Sequence, residues 1–494
     1  MEPGRSSPPP PPPTISGASL PPSMCSTSEL STLLAPVTLS DASFANWAGT
    51  YKCRPQRTFM PTDSHQLPYI FELARRERTT VRAAGAGHSP SDLACTSGFM
   101  VRTDALDRVL EINVAEEYVI VEGGISLHKL HAVLADNGLG MSNVGSISDQ
   151  SVAGIVTTAT HGTGLNFGVI PTHVDSLVVM LPDGRILNCS RSENFDIFQA
   201  SRCGLGATGF IVSIKLKVER AFRLRERRKV ISFDEAVSNL DKLANSSEHS
   251  KLWWFPSTGS MRFFGADRTY DPATPVKPNW FWDFLIGYHL VQLALFLGRF
   301  LPMIVPWVGH LVLWLGGQED VVTDDSFRIF NLDCLFSQYT TEWAIPYEST
   351  AACLEELREW LDKEHADPHG LRPHFPIEIR FSNSDDIWLS PSNGRRSCWI
   401  GIVQFKPYGL PVAYRKLIER FERILSRHDG RPHWAKAHAL VPEDFKRMYP
   451  KFDDFVRVLR RYDPEGMFVN PYIRRHIFGE TGEDVAPRVY KERA

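Results

Sequence analysis

Hydrophobic and polar residues alternate over short distances through the first half of the chain. Period-two and β-branched runs predict strands at Thr79–Val81, Phe99–Val101, Val109–Ile112 and Tyr118–Glu122. Spacing of three and four predicts helices at His65–Glu77 and Leu127–Asn137. This mixture of short strands and helices, from Arg54 to about Val218, is typical of an α+β unit that binds a cofactor.

A second unit of different composition follows. It combines aromatic strands with longer helices, and the basic stretch Arg220–Lys229 before it is interpreted as a linker. The predicted helices are Phe233–Leu243, Thr350–Glu364 and Ala413–Arg427, and the predicted strands are Leu252–Phe255 and Cys398–Val403. We therefore expect an α+β fold with a cofactor-binding domain at 41–222, a cap domain at 223–430 and a C-terminal segment at 431–494.

Residues 1–40 are rich in proline and serine and poor in aromatic residues, which predicts a disordered tail. The tail has no apolar segment of the secretory type. Arg5 is its only basic residue, so a presequence for the mitochondrial matrix is poorly supported.

The most apolar part of the chain is 279–317, inside the cap domain. Its uncharged runs, Phe284–Gly298 and Phe300–Gln318, are separated by Arg299. A single crossing needs roughly 20 apolar residues, and it would leave the two halves of the cap on opposite sides of a membrane. Two crossings would need roughly 40 residues. An insertion that lies in the membrane interface is therefore favoured, and the alternative is a buried helical hairpin or an oligomer contact.

Composition excludes several classes of function. The 494 residues carry a net charge of −3 with both signs mixed, which argues against a nucleic-acid partner. The eight cysteines are scattered without metal-ligand spacing, so neither a disulfide framework nor a metal site is expected.

Two glycine-rich stretches are the main candidates for ligand binding. Arg82–Pro90 follows a predicted strand and contains Gly85, Ala86, Gly87, His88 and Ser89. Glycines at a strand end let successive N–H groups point at one anion. The second stretch comprises 143–147 and 154–164, with Gly145, Ser146, Gly154, His161 and Gly162. The alternative is a glycine-rich turn with a surface histidine for the first stretch and a tight buried turn for the second, but two such loops in one domain favour phosphate binding.

The segment Gly204–Gly209 matches GxGxxG, but its context excludes a dinucleotide-binding fold of the Rossmann type. That motif must follow a strand and open a helix. Here a helical pattern precedes the glycines and the strand-like run Phe210–Ile214 follows them.

Two later clusters carry charge. Glu378 and Arg380 are two apart in an alternating strand, so both lie on one face, where they could hold a hydroxyl-bearing substrate. Lys436 and His433 follow Gly430 and Pro432, and a cation there could stabilise a reduced cofactor. The alternative for each cluster is an ordinary solvent-facing pair or turn.

Together these motifs resemble the sugar-1,4-lactone oxidases of the vanillyl-alcohol-oxidase flavoprotein superfamily. The segments GAGHSPS, NVGSI, THGTG, IEIRF, HWAK and DPEGMFVNPY occur in the family's order, from about Asn46 to Phe478. The resemblance implies a two-subdomain FAD-binding domain and a cap that binds substrate.

The resemblance also implies residue roles. His88 corresponds to the histidine joined covalently to FAD. Glu378 and Arg380 correspond to the pair that positions the lactone, Lys436 to a cation near the flavin ring, and Ser146 to a residue that touches substrate. The cofactor-binding set is Gly85, Ala86, Gly87, His88, Ser89, Gly145, Ser146, Gly154, His161, Gly162 and His433.

The implied reaction is oxidation of an aldono-1,4-lactone, with D-arabinono-1,4-lactone favoured. O2 accepts the electrons, and the products are H2O2 and an ascorbate-type enediol lactone, D-erythroascorbate. Related dehydrogenases carry alanine where this chain has Gly145 and leucine where it has His88, so both residues indicate an oxidase. The alternatives are a dehydrogenase of the same fold that reduces cytochrome c, and a membrane-bound scaffold without activity. The family also implies a mitochondrial membrane, with its outer face favoured and the endoplasmic reticulum as the alternative.

Overall fold

The computed structural model describes residues 20–40, 42–274, 279–332 and 336–486. Helices and sheets are mixed along the chain, so the predicted α+β class is confirmed.

The described part of the first unit contains short strands and five α-helices. The strands are β1 (Thr38–Leu39), β2 (Phe44–Ala45), β3 (Lys52–Cys53), β4 (Arg57–Phe59), β5 (Val81–Ala84), β6 (Phe99–Arg102), β7 (Val109–Asn113), β8 (Tyr118–Glu122), β9 (Leu139–Gly140), β10 (Val174–Met180), β11 (Ile186–Ser190), β12 (Phe210–Lys217) and β13 (Glu219–Arg220). The helices are α1 (Thr27–Leu34), α2 (Leu67–Arg76), α3 (Leu127–Asp136), α4 (Val152–Thr157) and α5 (Phe195–Ser201).

Two sheets organise this unit. The smaller has the order β1-β4-β6-β5, with β4, β6 and β5 parallel. The larger is antiparallel, with the order β11-β10-β12-β8-β7. Leucine and valine side chains from α3, α4 and the larger sheet form one continuous core. The first glycine-rich stretch begins where the chain leaves β5 of the smaller sheet.

The second unit is built on one antiparallel sheet of eight strands. The strands are β14 (Arg223–Ser232), β15 (His249–Phe255), β16 (Ser260–Thr269), β17 (Glu319–Asp325), β18 (Gln338–Pro346), β19 (Ile377–Ser382), β20 (Ser397–Phe405) and β21 (Arg431–Pro432), in the order β17-β14-β16-β15-β19-β20-β18-β21. The helices are α6 (Phe233–Ser238), α7 (Leu240–Ala244), α8 (Val291–Gly298), α9 (Ile304–Leu315), α10 (Ser326–Phe330), α11 (Thr350–Ala366) and α12 (Arg415–Arg427).

The chain then returns to the first unit. Helices α13 (Pro442–Met448), α14 (Phe452–Tyr462) and α15 (Pro471–His476) follow the sheet. Phe445, Phe455 and Ile473 belong to the same buried core as the first unit's larger sheet. The segment between β21 and α13, which contains Lys436, is thereby held between the two units.

The prediction that residues 1–40 form a disordered tail is wrong for residues 20–40. Helix α1 begins with a capping box in which Ser26 and Glu29 each accept a hydrogen bond from the other's backbone N–H. Leu30 and Leu34 are buried against α2. Proline and serine dominate the sequence before this helix, so composition averaged over 40 residues hid an eight-residue amphipathic element. Residues 1–19 lie outside the described residues.

We expect Leu30→Ala to lower the free energy of unfolding by about 2–5 kcal/mol, as for other buried leucines. Leu30 is fully buried in the core shared by α1, α2 and the smaller sheet. Denaturant unfolding of the purified protein measures the change. The exposed Leu39 serves as a control, and equal stability of the two alanine variants would show that α1 does not stabilise the fold.

The stretch Arg220–Lys229, interpreted above as a linker, is mostly strand β14. Along it, exposed Arg223 and Arg225 alternate with buried Leu224 and Glu226, which is the period of a strand with one covered face. Its neighbour β17 is acidic, and Arg223 lies opposite Asp325 in the register. The positive charge of β14 is thus matched within the sheet.

The apolar segment 279–317 forms a helical hairpin between β16 and β17. A π-helical segment, Trp280–Leu290, continues directly into α8, and α9 packs back against α8. The inner side of this apolar hairpin covers Phe255 and Phe375. Its outer side exposes large apolar residues: Trp280, Phe281, Trp282, Phe284, Leu285, Leu290, Leu293, Leu297, Phe300, Leu301, Met303, Trp307 and Trp314. Within the described residues, Trp280–Gly298 has the length and composition to cross a membrane.

Candidate active site

A groove in the first unit collects much of the predicted cofactor-binding set. It is lined by backbone and small side chains, including the predicted Gly85, Ala86, Gly87, His88, Ser89 and Gly154. The helix α4 and the turns after β5 and β8 form its walls. A groove lined in this way admits a flat, phosphate-bearing ligand close to the main chain.

Glycine is required at two points of the first loop. A Cβ on Gly85 would lie 2.3 Å from Ser151 Oγ, so a side chain there would collide with the first turn of α4. Gly87 has φ +74°, which side-chain-bearing residues rarely adopt. The loop can therefore approach α4 closely and then turn towards His88.

His88 lies at the lip of this groove with its ring oriented by two neighbours. Its ring stacks on Trp47, with ring centres 5.6 Å apart, and its Nε2 lies 3.6 Å from Asp149 Oδ2. Its Nδ1 is buried and has no hydrogen-bond partner among the described residues. Burial lowers the pKa of His88, with Asp149 opposing this and Lys436 adding to it. A neutral ring with one unengaged buried nitrogen suits a bond to a ligand in the groove.

The groove also contains residues that the sequence analysis set aside. Leu205 and Gly206, within the GxGxxG segment, form part of its lining. The buried Arg82 guanidinium donates hydrogen bonds to the carbonyl oxygens of both. The segment lies between α5 and β12, so the predicted inverted context is confirmed. Gly206 and Gly209 nevertheless border the same groove, which no local pattern indicated.

The second part of the site is a cluster of charges on the eight-stranded sheet. Glu378 and Arg380 lie on β19 and share a face, as predicted, with Arg380 Nη2 3.2 Å from Glu378 Oε2. Trp253 Nε1 on β15 donates to Glu378 Oε1 at 3.3 Å. Arg380 Nη1 donates to Ser146 Oγ at 3.4 Å, which brings a loop of the first unit onto the sheet.

Glu342 on β18 is the centre of this cluster, and the sequence analysis missed it. Its Oε1 accepts a hydrogen bond from Arg380 Nη2 at 2.9 Å and lies 3.2 Å from His161 Nε2. Its Oε2 lies 3.9 Å from Lys436 Nζ. Glu342 and Glu378 both lie opposite Gly401 of β20, so strand register brings them together. The available signal was an acidic residue inside the otherwise apolar strand end EWAIP.

The electrostatics of the cluster favour charged groups despite burial. Burial would raise the pKa of Glu342, but Arg380, His161 and Lys436 hold it well below its usual 4.5. Burial would lower the pKa of Arg380, but Glu378 and Glu342 together raise it. The pair is therefore ionised and tightly coupled.

The predicted cofactor-binding residues divide between the two parts of the site. His161 stacks on Trp399, with ring centres 3.7 Å apart, and its Nδ1 lies 2.9 Å from the Gly162 carbonyl oxygen. The His433 backbone N–H donates to the Glu342 carbonyl oxygen at 2.9 Å. The predicted residues His161, Gly162 and His433 therefore lie around the charged cluster, together with Gly145 and Ser146. The loop at His88 lines the groove instead.

Lys436 joins the two parts. Its ammonium group contacts Glu342 and acts on His88 electrostatically. Ala435, its neighbour, lines the groove and accepts a hydrogen bond from Ser91 on its carbonyl oxygen. A ligand that extends from the groove past His88 therefore meets a cation at the start of the charged cluster.

The side chains of His161, Glu342 and His433 lie close enough to hold a metal ion, with ligand atoms within 4.8 Å of one another. Two cationic side chains, Arg380 and Lys436, already face the same carboxylate. A metal ion bound there would place a third positive charge beside Arg380 and Lys436. We therefore assign the Glu342 carboxylate to its ion pairs with these two residues. The expectation of no metal stays a prediction.

Comparison with known families first defines the class of protein. Residues 55–190 match the FAD-binding domain family, and they include the groove and the loop at His88. The chain is thus a flavoprotein with an FAD-binding domain of the vanillyl-alcohol-oxidase type. Residues 214–476 match the D-arabinono-1,4-lactone oxidase family, which covers the eight-stranded sheet and the segment with Lys436. The chain belongs to the sugar-1,4-lactone oxidase family.

Individual relatives span most of the chain. L-gulonolactone oxidase of Scyliorhinus torazame is 39% identical over 438 residues, which cover 88% of this chain and 98% of the relative. L-gulono-1,4-lactone dehydrogenase of Mycobacterium tuberculosis is 30% identical over 436 residues, 87% of this chain and 98% of the relative. A solvent-stable cholesterol oxidase has the same fold, with a TM-score of 0.74 at 19% identity over 89% of this chain and 98% of the other.

Proposed function

We propose that this enzyme oxidises aldono-1,4-lactones with O2, with D-arabinono-1,4-lactone as the first substrate to test. FAD, when bound, supplies the two-electron acceptor. The observation that carries the proposal is the cluster of Glu378, Arg380 and Glu342 beside the cofactor groove. The 39% identity to an L-gulonolactone oxidase supports L-gulono-1,4-lactone as the second candidate substrate. Rates of H2O2 formation with the two lactones decide between them.

In this proposal, one residue of the cluster positions the substrate and two others stabilise negative charge that develops during the reaction. Glu378 has a partly exposed carboxylate that can accept a hydrogen bond from a substrate hydroxyl. Arg380, fixed between two carboxylates and Ser146, presents a rigid guanidinium towards developing negative charge. Lys436 adds a second cation at the end of the groove. The product would be the enediol lactone D-erythroascorbate when D-arabinono-1,4-lactone is oxidised.

We propose further that FAD is joined covalently to His88. Its unpartnered buried Nδ1 and its place at the lip of the groove support this. Acid precipitation of the wild type should leave yellow flavin in the pellet, and His88→Ala should release it to the supernatant. Flavin released from the wild type would contradict the covalent link.

The choice of O2 as acceptor is tested at Gly145. A Cβ on residue 145 would lie 3.1 Å from Thr160 Cγ2 and 3.3 Å from the His161 carbonyl oxygen. An added methyl group would therefore fill the gap between Gly145 and these two atoms. We expect Gly145→Ala to slow reoxidation of reduced enzyme by O2 about 10-fold or more, a barrier change of about 1.4 kcal/mol, while reduction by lactone changes little. Stopped-flow absorbance separates the two half-reactions. Unchanged reoxidation would show that Gly145 does not control the reaction with O2, whereas slow reoxidation of the wild type would favour the alternative, a dehydrogenase that uses another acceptor.

We propose that the apolar hairpin docks in one leaflet of a membrane, by inserting its exposed tryptophan and phenylalanine side chains. Exposed apolar surface of this extent is typical of an interaction site. Deleting the hairpin would uncover Phe255 and Phe375, so substitutions of exposed residues make the better test. The triple variant Trp280→Glu, Phe300→Glu and Trp307→Glu should lose flotation with phosphatidylcholine vesicles. Ile186→Glu, at an exposed site in the first unit, is the control, and flotation of the triple variant would contradict the proposal.

We propose the outer face of a mitochondrial membrane as the location, with the endoplasmic reticulum as the alternative. Cell fractionation with protease protection distinguishes the two membranes and the exposed side.

A further inference from the structure

We propose that Asp149, backed by His128, removes the ring proton of His88 when that histidine is joined to flavin. This inference rests on the covalent link proposed above and assigns the residues that promote its formation. Asp149 acts through His88, so it is a positioning residue for the attachment reaction rather than for lactone oxidation.

The three side chains form a line from the groove to the surface. Asp149 Oδ2 lies 3.6 Å from His88 Nε2, and Asp149 Oδ1 lies 3.1 Å from His128 Nε2. The exposed fraction of the side chain rises from 8% at His88 to 61% at Asp149 and 57% at His128. A proton that leaves the buried ring therefore has a direct route to solvent.

The ring of His88 is held for this role. The indole of Trp47 stacks on one side of the ring, and the backbone N–H of Trp47 donates to the Gly87 carbonyl oxygen at 2.9 Å, which ties Trp47 to the same loop. With Nε2 facing a carboxylate, the neutral ring carries its proton on Nε2. The lone pair is then on Nδ1, the nitrogen that has no partner among the described residues.

The charged groups around His88 come from three elements. Asp149 precedes α4, His128 lies on α3, and Lys436 lies in the segment after β21. Burial of the ring, and to a smaller extent the positive charge of Lys436, lower the pKa of His88, which keeps the ring a nucleophile. Asp149 is the group in this set that can accept a proton and also faces His88.

The attachment balances with O2 as the oxidant, which the proposed oxidase activity already consumes. A bond forms between His88 Nδ1 and the 8α carbon of the flavin, and one C–H bond of that methyl group breaks. The ring proton of His88 passes from Nε2 to Asp149. Two electrons reach O2, and the methyl hydrogen and the ring proton complete H2O2.

The test is the rate of attachment in purified Asp149→Asn. We expect about a 10²-fold slower rise of flavin in acid-precipitated protein during incubation in air, as for loss of a general base. Total FAD bound before precipitation should stay at the wild-type level. In Asp149→Asn, attachment should become faster between pH 7 and pH 9, because hydroxide replaces the missing carboxylate as the base. The variant Asp149→Glu, which keeps a carboxylate, should attach flavin at a rate close to that of the wild type. His128→Asn should have a smaller effect in the same direction.

Asp107→Asn is the matched control, because Asp107 pairs with Lys129 of the same helix α3 and contacts neither histidine. Full attachment in Asp149→Asn would overturn the relay. Equal loss of bound and attached FAD would also overturn it, because it would assign Asp149 to cofactor binding. A wild type without attached flavin would instead overturn the covalent link itself.

Discussion

Glu378→Ala is expected to slow reduction of the bound flavin by lactone about 10²–10³-fold, the loss typical of a removed electrostatic or hydrogen-bonding group. Glu378 accepts a hydrogen bond from Trp253 and contacts Arg380, yet its side chain is 23% exposed. It can therefore be replaced without leaving a fully buried cavity. Anaerobic stopped-flow absorbance measures the reduction rate directly, independently of how fast O2 reacts.

Trp253→Phe provides a graded comparison for Glu378→Ala. It removes the indole donor at 3.3 Å from the carboxylate and leaves the carboxylate in place. We expect a loss of about 3–10-fold, the size of one ordinary hydrogen bond. Both variants should keep their flavin colour. If Glu378→Ala reduces as fast as wild type, this carboxylate does not contact the substrate.

Glu342→Gln is expected to lower the free energy of unfolding by about 3–5 kcal/mol at pH 7, as for other broken buried ion pairs. The amide has the shape of the carboxylate but removes the negative charge 2.9 Å from Arg380 and 3.9 Å from Lys436, which leaves Arg380 with Glu378 as its anionic partner. Denaturant unfolding measures the loss. Glu348→Gln, at an exposed position just after the same strand, should change stability by less than about 0.5 kcal/mol.

The stability difference between wild type and Glu342→Gln should depend on pH in a defined direction. The pKa of Glu342 lies well below 4.5 in the folded protein, so its stabilising effect is complete above the unfolded value. Below pH 4.5 the unfolded chain takes up a proton first, and the difference shrinks as the pH falls towards the folded pKa. A difference that stays constant from pH 7 to pH 3 would show that folding does not lower the pKa of Glu342.

Local patterns predicted the elements that carry the site, because each depends on neighbours in sequence. The alternation around Glu378 placed it with Arg380 on one face of β19, and the glycines around His88 predicted a loop at a strand end. Glu342 was not found because its role comes from strand register: β18 and β19 are separated by β20, and only the folded sheet brings both glutamates to Gly401.

The same limit explains why the GxGxxG segment was not expected at the groove. Leu205 and Gly206 reach the groove because β12 lies beside β8 in the larger sheet, a pairing between segments almost 100 residues apart. Helix α1 was missed for the opposite reason, because its signal is short and lies within a biased composition.

The inner side of the apolar hairpin covers Phe255 and Phe375. Phe255 lies two residues beyond Trp253 on β15, and Phe375 lies three residues before Glu378. The hairpin therefore packs on parts of the chain that lie only two or three residues from the hydrogen-bonded pair Trp253 and Glu378. Turnover measured in different detergents should consequently differ even when the active-site residues are identical, so lactone preferences of related enzymes are comparable only in one common detergent or lipid.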